Sequence, residues 1–263
     1  MRIVTWNINS VRLRMPLVAQ LTRTVKPDVL CLQETKAADE VFPQDDLRAL
    51  GYEHMRFRGM KGYNGVAILS RLPLQDAGSR DWCGKPDARH VAAALPGGIE
   101  LHNFYIPAGG DVPDPKVNDK FAHKLAFLRE LATWWRDKRD NGARRIMVGD
   151  LNIAPLESDV WSHKQLLKIV SHTPVEVDHL AEVQAAHGWV DAVRHFVPEE
   201  EKLYSWWSYR SRDWQESDRG RRLDHVWVTP SLAPALKASS ILREARGWEK
   251  PSDHVPVIVD LKM

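Results

Sequence analysis

Cysteine, membrane-length apolar runs, low-complexity tracts and an excess of one charge are scarce or missing from this chain. Each absence narrows its class. Two cysteines in 263 residues give no disulfide framework. Cys31 lies inside the apolar run 29–32 and reads as a small buried hydrophobe, while Cys83 falls in a polar loop. No apolar stretch approaches the ~20 residues of a spanning helix, and a mean hydropathy of −0.41 argues against an integral membrane protein. Residues 1–6 read straight into a strand with no signal-peptide apolar region. Together these features lead us to expect a protein of the reducing cytoplasm. With 37 Lys and Arg against 35 Asp and Glu, a net charge of +2 neither demands nor excludes an anionic partner. No linker, charge block or repeat divides the chain, so one domain over 1–263 is expected. What is plentiful is tryptophan. Several of the 11 fall in polar loops where a core does not need them.

The most informative stretch is Arg145-Ile-Met-Val-Gly-Asp-Leu-Asn-Ile-Ala-Pro155. Residues 146–148 have the apolar character of a strand buried on both faces. Gly149 breaks the run, and Asp150 and Asn152 then arrive two residues apart, where period two puts both on one side of an extended backbone. Taken alone the stretch reads as a turn, since Gly-Asp and Asn-Ile-Ala-Pro are ordinary punctuation. Elsewhere, residues 3–8, 28–34, 65–70, 90–95, 98–106, 222–229 and 254–261 read as strands. The group 65–70, 90–95 and 98–106 is expected to form antiparallel neighbours. Residues 117–140 give the clearest helix, with Phe121, Leu125, Leu128, Ala132 and Trp135 at spacings of four and three. Further helices are expected at 16–25, 45–50 and 177–187. Several strand connections are too short for crossover helices. The expectation is therefore an α/β fold with a mixed sheet, or two sheets, covered by helices.

Five strand tips carry polar residues of one chemical kind: Asn7 with Asn9, Gln33 with Glu34, Asp150 with Asn152, Asp224, and Asp253 with His254. Any one of them alone is most simply a turn or cap. Unpaired buried acids are costly, so five such tips point to a shared site beyond the strand ends. Carboxylates and amides without a cysteine cluster favour a hard cation such as Mg²⁺ over zinc. The Asp253-His254 pair suggests an acid–base element.

The motifs Thr-Trp-Asn-Ile-Asn (5–9), Leu-Gln-Glu-Thr-Lys (32–36), Gly-Tyr-Asn-Gly-Val-Ala-Ile-Leu-Ser (62–70), Tyr-Ile-Pro (105–107), Gly-Asp-Leu-Asn-Ile-Ala (149–154), Arg-Leu-Asp (222–224) and Ser-Asp-His (252–254) resemble the exonuclease III class. These are the abasic-site endonucleases of the endonuclease/exonuclease/phosphatase superfamily, and the motifs run in family order over nearly the whole chain. The resemblance implies a four-layer α/β sandwich, two mixed β-sheets packed face to face and flanked by helices. It also implies an enzyme acting on duplex DNA as a monomer, with Mg²⁺ (or Mn²⁺) as cofactor. Asp150 would activate a water, held by Asn152. Glu34, with Asn7 and Asp253 nearby, would form the metal region. His254, polarised by Asp253, and Tyr105 would contact the scissile phosphate, and Asp224 would orient a neighbour or join the metal region. In the loop Tyr204-Ser-Trp-Trp-Ser-Tyr-Arg-Ser211, Trp206, together with Leu223, would wall a pocket for an extruded abasic sugar. The alternative for Trp206 or Trp207 is a core anchor under the loop.

Phosphate contacts along a duplex are expected from among Asn9, Lys61, Arg80, Lys85, Arg89, Lys120 and Lys124, with Lys120 and Lys124 one helical turn apart on an edge of the DNA-binding face. The chain departs from the family pattern at the Gly/Pro-rich loop 108–115 and after Glu176. It also departs at Arg221, which stands where an apolar pocket wall is expected and could stack on a sugar or bind a phosphate. Two rivals remain: a superfamily phosphoesterase acting on RNA or a small phosphoester, and a silent DNA-binding module.

Overall fold

The computed structural model describes residues 1–140, 142–211 and 213–262. The strands are β1 (Arg2–Asn7), β2 (Val29–Gln33), β3 (His54–Arg58), β4 (Val66–Ser70), β5 (Gln75–Asp76), β6 (His90–Leu95) and β7 (Ile99–Tyr105). They continue as β8 (Arg144–Asp150), β9 (Val190–Asp191), β10 (Trp206–Trp207), β11 (Gly220–Arg221), β12 (Asp224–Val228), β13 (Leu236–Ile241) and β14 (Val257–Leu261). The helices are α1 (Met15–Val25), α2 (Gln44–Ala49), α3 (Asp119–Asp137), α4 (His163–Leu166), α5 (Pro174–His187) and α6 (Trp214–Ser217). One six-stranded sheet has the order β13-β14-β1-β2-β4-β3, the other β5-β6-β7-β8-β12-β9, and β10 and β11 form a separate ribbon. Both large sheets are mixed, with β1–β2 and β7–β8 as their parallel pairs.

Strand alternation builds the four layers. Ile3, Val29, Cys31, Val66 and Ile68 of the first sheet meet Leu101, Ile146, Val148, Val226 and Val228 of the second in one apolar core. The intervening residues Val4, Trp6, Leu30, Leu32, Ala67 and Leu69 face α1 on the outside. Met147 and Trp227 face α3 and α5 in the same way. The sequence stretch 146–148 is thus buried on both faces, as expected. β4 differs from expectation: it pairs with β2 and β3 in the first sheet, whereas β6 and β7 form a hairpin in the second.

Helix ends follow local chemistry. Asn118 caps α3 by accepting from the Lys120 amide at 3.1 Å, so the helix begins just inside the stretch its periodicity outlines. α5 starts earlier than its apolar pattern. Thr173 and Glu176 form a capping box around Pro174, and Gly188 closes the helix at φ 71°. Gly149, at φ 139°, is required for a further reason. A Cβ there would stand 1.9 Å from the Phe104 carbonyl oxygen, so β8 approaches β7 this closely only without a side chain.

On the outer face of the second sheet the buried rings of His90 and His102 are linked Nε2···Nδ1 at 3.0 Å, and His90 stacks on Phe104. Burial holds His90 well below the usual imidazole range and lowers His102 too. A histidine depressed in the folded state takes up its proton on unfolding, so stability declines as pH falls through roughly 6.5. His90→Phe keeps the stack and removes one such group. The melting temperature of this variant should drop less than that of the parent between pH 7 and 5, and an unchanged slope in calorimetry would refute the assignment.

Candidate active site

The inner row of each central strand runs apolar and then turns polar at the same end of the sandwich. Ile3 and Thr5 lead to Asn7, Val29 and Cys31 to Gln33, Leu101 and Asn103 to Tyr105, and Ile146 and Val148 to Asp150. β12 runs antiparallel to β8, so its first residue, Asp224, pairs with Asp150. Two amides tie the sheets together at this end. Gln33 Nε2 donates to Thr5 Oγ1 at 2.9 Å and to Asn103 Oδ1 at 2.7 Å, and Asn103 Nδ2 donates to the carbonyls of Leu32 and Ala67. Asn103 lies mid-strand, where no turn or polar cluster marks it in the sequence.

Asp150 stands at the centre. Its Oδ2 accepts from Asn7 Nδ2 at 2.9 Å and its Oδ1 from the backbone amide of Asn152 at 2.9 Å. The grip of Asn152 is thus exerted by its backbone. Its side-chain Nδ2 donates to the Ile106 carbonyl at 2.8 Å, and its φ of 54° bends the chain off the strand. Asn7 Nδ2 also donates to Glu34 Oε1 at 2.9 Å, while its Oδ1 accepts from the Asn9 amide. Asn7 therefore bridges two carboxylates. Burial pushes Asp150 up to about 7, opposed by the nearby His254 and by the Asn7 bond.

His254 lies between two aspartates. Its Nδ1 meets Asp224 Oδ2 at 2.8 Å and its Nε2 faces Asp150 Oδ2 at 3.6 Å. Burial alone would lower this imidazole, but Asp224 and Asp150 outweigh it and raise it to about 10. Asp224 is fixed by Ser205, whose Oγ donates to its Oδ2 at 2.6 Å. The expected polarising partner, Asp253, is corrected here. Its oxygens accept from Asn9 Nδ2 at 3.2 Å and from the Trp206 indole at 2.9 Å. Both Asp253 oxygens are thus engaged elsewhere, and the His254 ring takes Asp224 and faces Asp150 instead.

Tyr105 is buried beside these acids. Burial, then the charges of Glu34 and Asp150, push its phenol well above the usual range, so it stays a hydrogen-bond donor. Arg89 lies over its ring at 4.9 Å and pairs with Asp87, so this arginine supports the site from behind. Lys36, part of a motif but assigned no role from sequence, contacts Glu34 Oε2 at 2.8 Å and Asn9 Oδ1 at 2.6 Å. Trp206, Leu223, Arg221, Tyr105, Asn152 and His254 all line one cavity of about 770 Å³, and Trp207, although almost fully buried, lines it too. Lys120 is exposed at the start of α3, beside Gly110 at the edge of the cavity but not part of its lining. Lys124 contradicts expectation, being fully buried against Glu176 at 2.5 Å. Arg80 is held by Glu130 and by the face of Trp82.

A hard divalent cation suits this donor set. Glu34, Asp150 and Asp224 crowd one end of the sandwich, and Asp224 Oδ1 has no partner among the described residues. Asp150, Asp224 and His254 also bring ligand atoms within 4.8 Å of one another. Asp224 can offer its free Oδ1 while its Oδ2 keeps the 2.8 Å contact to His254, and Glu34 would offer oxygens that now meet Asn7 and Lys36.

Two facing sheets, each flanked by helices, with an aspartate–histidine–aspartate chain where their strands end, make a phosphoesterase-type α/β sandwich. The chain belongs to the endonuclease/exonuclease/phosphatase family, whose sequence profile matches residues 4–254. It is 30% identical to exodeoxyribonuclease III of Haemophilus influenzae over the full length of both chains. An AP endonuclease structure from Archaeoglobus fulgidus superposes with a TM-score of 0.93 at 32% identity, covering 100% of each chain. The Neisseria 3′ phosphatase NExo, bound to a product DNA hairpin, gives 0.89 at 32% identity, again with both chains fully covered.

Proposed function

We propose that the protein is a divalent-metal-dependent DNA repair nuclease of exonuclease III type. It hydrolyses phosphodiesters in duplex DNA by incision 5′ of abasic sites, cleaning of blocked 3′ ends and 3′→5′ exonuclease action. The observation that carries this reading is Asp150 facing, across 3.6 Å, the Asp224-anchored His254, which lines the cavity. Asp150, held in one orientation by Asn7 and the Asn152 amide, accepts the proton of the attacking water, and a value near 7 suits a base working at neutral pH. His254 in its cationic form and the neutral phenol of Tyr105 donate to the phosphoryl oxygens as charge develops there. Glu34 would hold Mg²⁺ or Mn²⁺, with Asn7 setting its orientation. The ion when bound supplies further charge stabilisation at the phosphate. Asp253 holds Trp206 and Asn9, shaping the pocket. Lys120 offers an exposed phosphate contact. We place the protein in the cytoplasm, acting as a monomer, which suits its unpaired thiols.

The test is cleavage of an abasic duplex, a 3′-recessed duplex, poly(A) and an inositol phosphate, with Mg²⁺ and with chelator. The duplexes should be cut, and chelator should slow cutting by more than about 100-fold, a loss of ~2.7 kcal/mol of transition-state stabilisation. Preference for the inositol phosphate would overturn the substrate assignment. Metal-independent duplex binding without cleavage would overturn the enzyme.

A further inference from the structure

Arg221 and Arg222 are neighbours with opposite surroundings. Arg222 is buried and fully paired, its Nε and Nη2 on the two oxygens of Asp159 at 2.8 and 3.0 Å and its Nη1 on Asp191 at 2.7 Å. Arg221 makes no ion pair among the described residues. Its Nη1 donates to the Val170 carbonyl at 3.0 Å and to Ser171 Oγ at 2.8 Å, and its Nε finds no acceptor there. The carboxylate that acts on it, Glu176, is already held by Lys124 and by the amides of Ser171 and Thr173. A guanidinium half withdrawn from water without a counter-ion is destabilising, and its placement calls for an anion from outside the chain.

The location decides which anion. β10 and β11 pair Trp206 with Arg221, and the guanidinium lies 5.2 Å over the indole, so both line the cavity that holds His254 and Leu223. A neutral sugar gains little from a cation in this wall, whereas a carboxylate gains a charge-assisted bond. We infer that Arg221 makes the pocket select ends that carry a carboxylate beyond the scissile phosphate, of the 3′-phosphoglycolate kind, over uncharged groups of the same size. The inference rests on the nuclease reading above. Water adds to phosphorus, the bond from phosphorus to the 3′ oxygen breaks, that oxygen takes a proton, and phosphoglycolate leaves.

The test uses two duplexes identical except for the 3′ ester, phosphoglycolate in one and phosphate esterified to ethylene glycol in the other. The full-length protein should prefer the carboxylate in kcat/KM by at least about tenfold, ~1.4 kcal/mol, as expected of one hydrogen bond to a charged group. Arg221→Gln, which can still donate to Ser171, should bring the ratio close to one, mainly through KM for the glycolate. Arg221→Lys should retain part of the preference and lose it as salt rises. An unchanged ratio in Arg221→Gln, or no preference in the parent, overturns the inference while leaving the nuclease reading intact. Failure to cut any duplex with Mg²⁺ overturns the reading and the inference with it.

Discussion

Asp150→Asn should lower kcat by about 10²–10⁴ on any duplex substrate while leaving affinity for DNA largely intact. The change is isosteric, so the Ile146–Val148 row behind it keeps its packing. One of the two donors that meet this group, Asn7 Nδ2 or the Asn152 amide, will face an NH₂ instead of an oxygen. That mismatch opposes folding. A second effect favours the variant, and its sign follows from linkage. An acid whose folded value is raised from 3.8 to about 7 binds more protons folded than unfolded between those limits, so the parent loses stability as pH rises through that window. An amide does not titrate. The melting temperature of the variant relative to the parent should therefore climb from pH 4 to 7. Single-turnover cleavage, fluorescence anisotropy and a pH series of melts check the three statements separately. Near-normal turnover would remove Asp150 from the role of base.

Much of this site is legible because strand alternation carries into the loops. The apolar parity of Ile3, Val29 and Ile146 continues into Asn7, Gln33 and Asp150, so a run of buried hydrophobes ending in an acid or amide already marks the working end. Two errors have physical causes. Asp253 and His254 are adjacent, but adjacency does not bring side chains together: Asp253 turns to Asn9 and Trp206, and the true partner, Asp224, lies 30 residues earlier. β4 looks like kin of β6 and β7 because all three are short apolar runs between Gly and Pro turns. Sequence does not say to which of two sheets such a run belongs, and here the pairing of β4 with β2 decides it.

Lys124 is buried, and not on the DNA-facing edge, because helical phase overrides residue type. Phe121, Leu125 and Leu128 define the inward stripe of α3, and position 124 lies three after the first and four before the last, on that same stripe. Its ammonium is accordingly enclosed, and each of its three protons has an acceptor: Ala108 O at 3.2 Å, Asn152 O at 2.8 Å and Glu176 Oε1 at 2.5 Å. Burial lowers this amine, and the Glu176 carboxylate opposes that shift. Lys124→Met should therefore destabilise the protein by about 3–5 kcal/mol, because it leaves Glu176 buried without its cation. That is a large part of the ~5–15 kcal/mol that holds a typical domain folded. Glu176→Gln added to Lys124→Met removes the stranded charge and keeps an acceptor for the Ser171 and Thr173 amides, so the double variant should recover part of the loss. Urea midpoints should rank the single variant below the double and the double below the parent. A double variant no more stable than the single would show that the charge pair is not the cause. The consequence reaches the chemistry because Lys124 joins the carbonyls of Ala108 and Asn152, the turns that follow β7 and β8. Loosening the second frees the amide that holds Asp150 Oδ1. In the fraction still folded, kcat should fall while KM for duplex stays close to that of the parent, as expected when the base is less well aimed and the binding surface is unchanged.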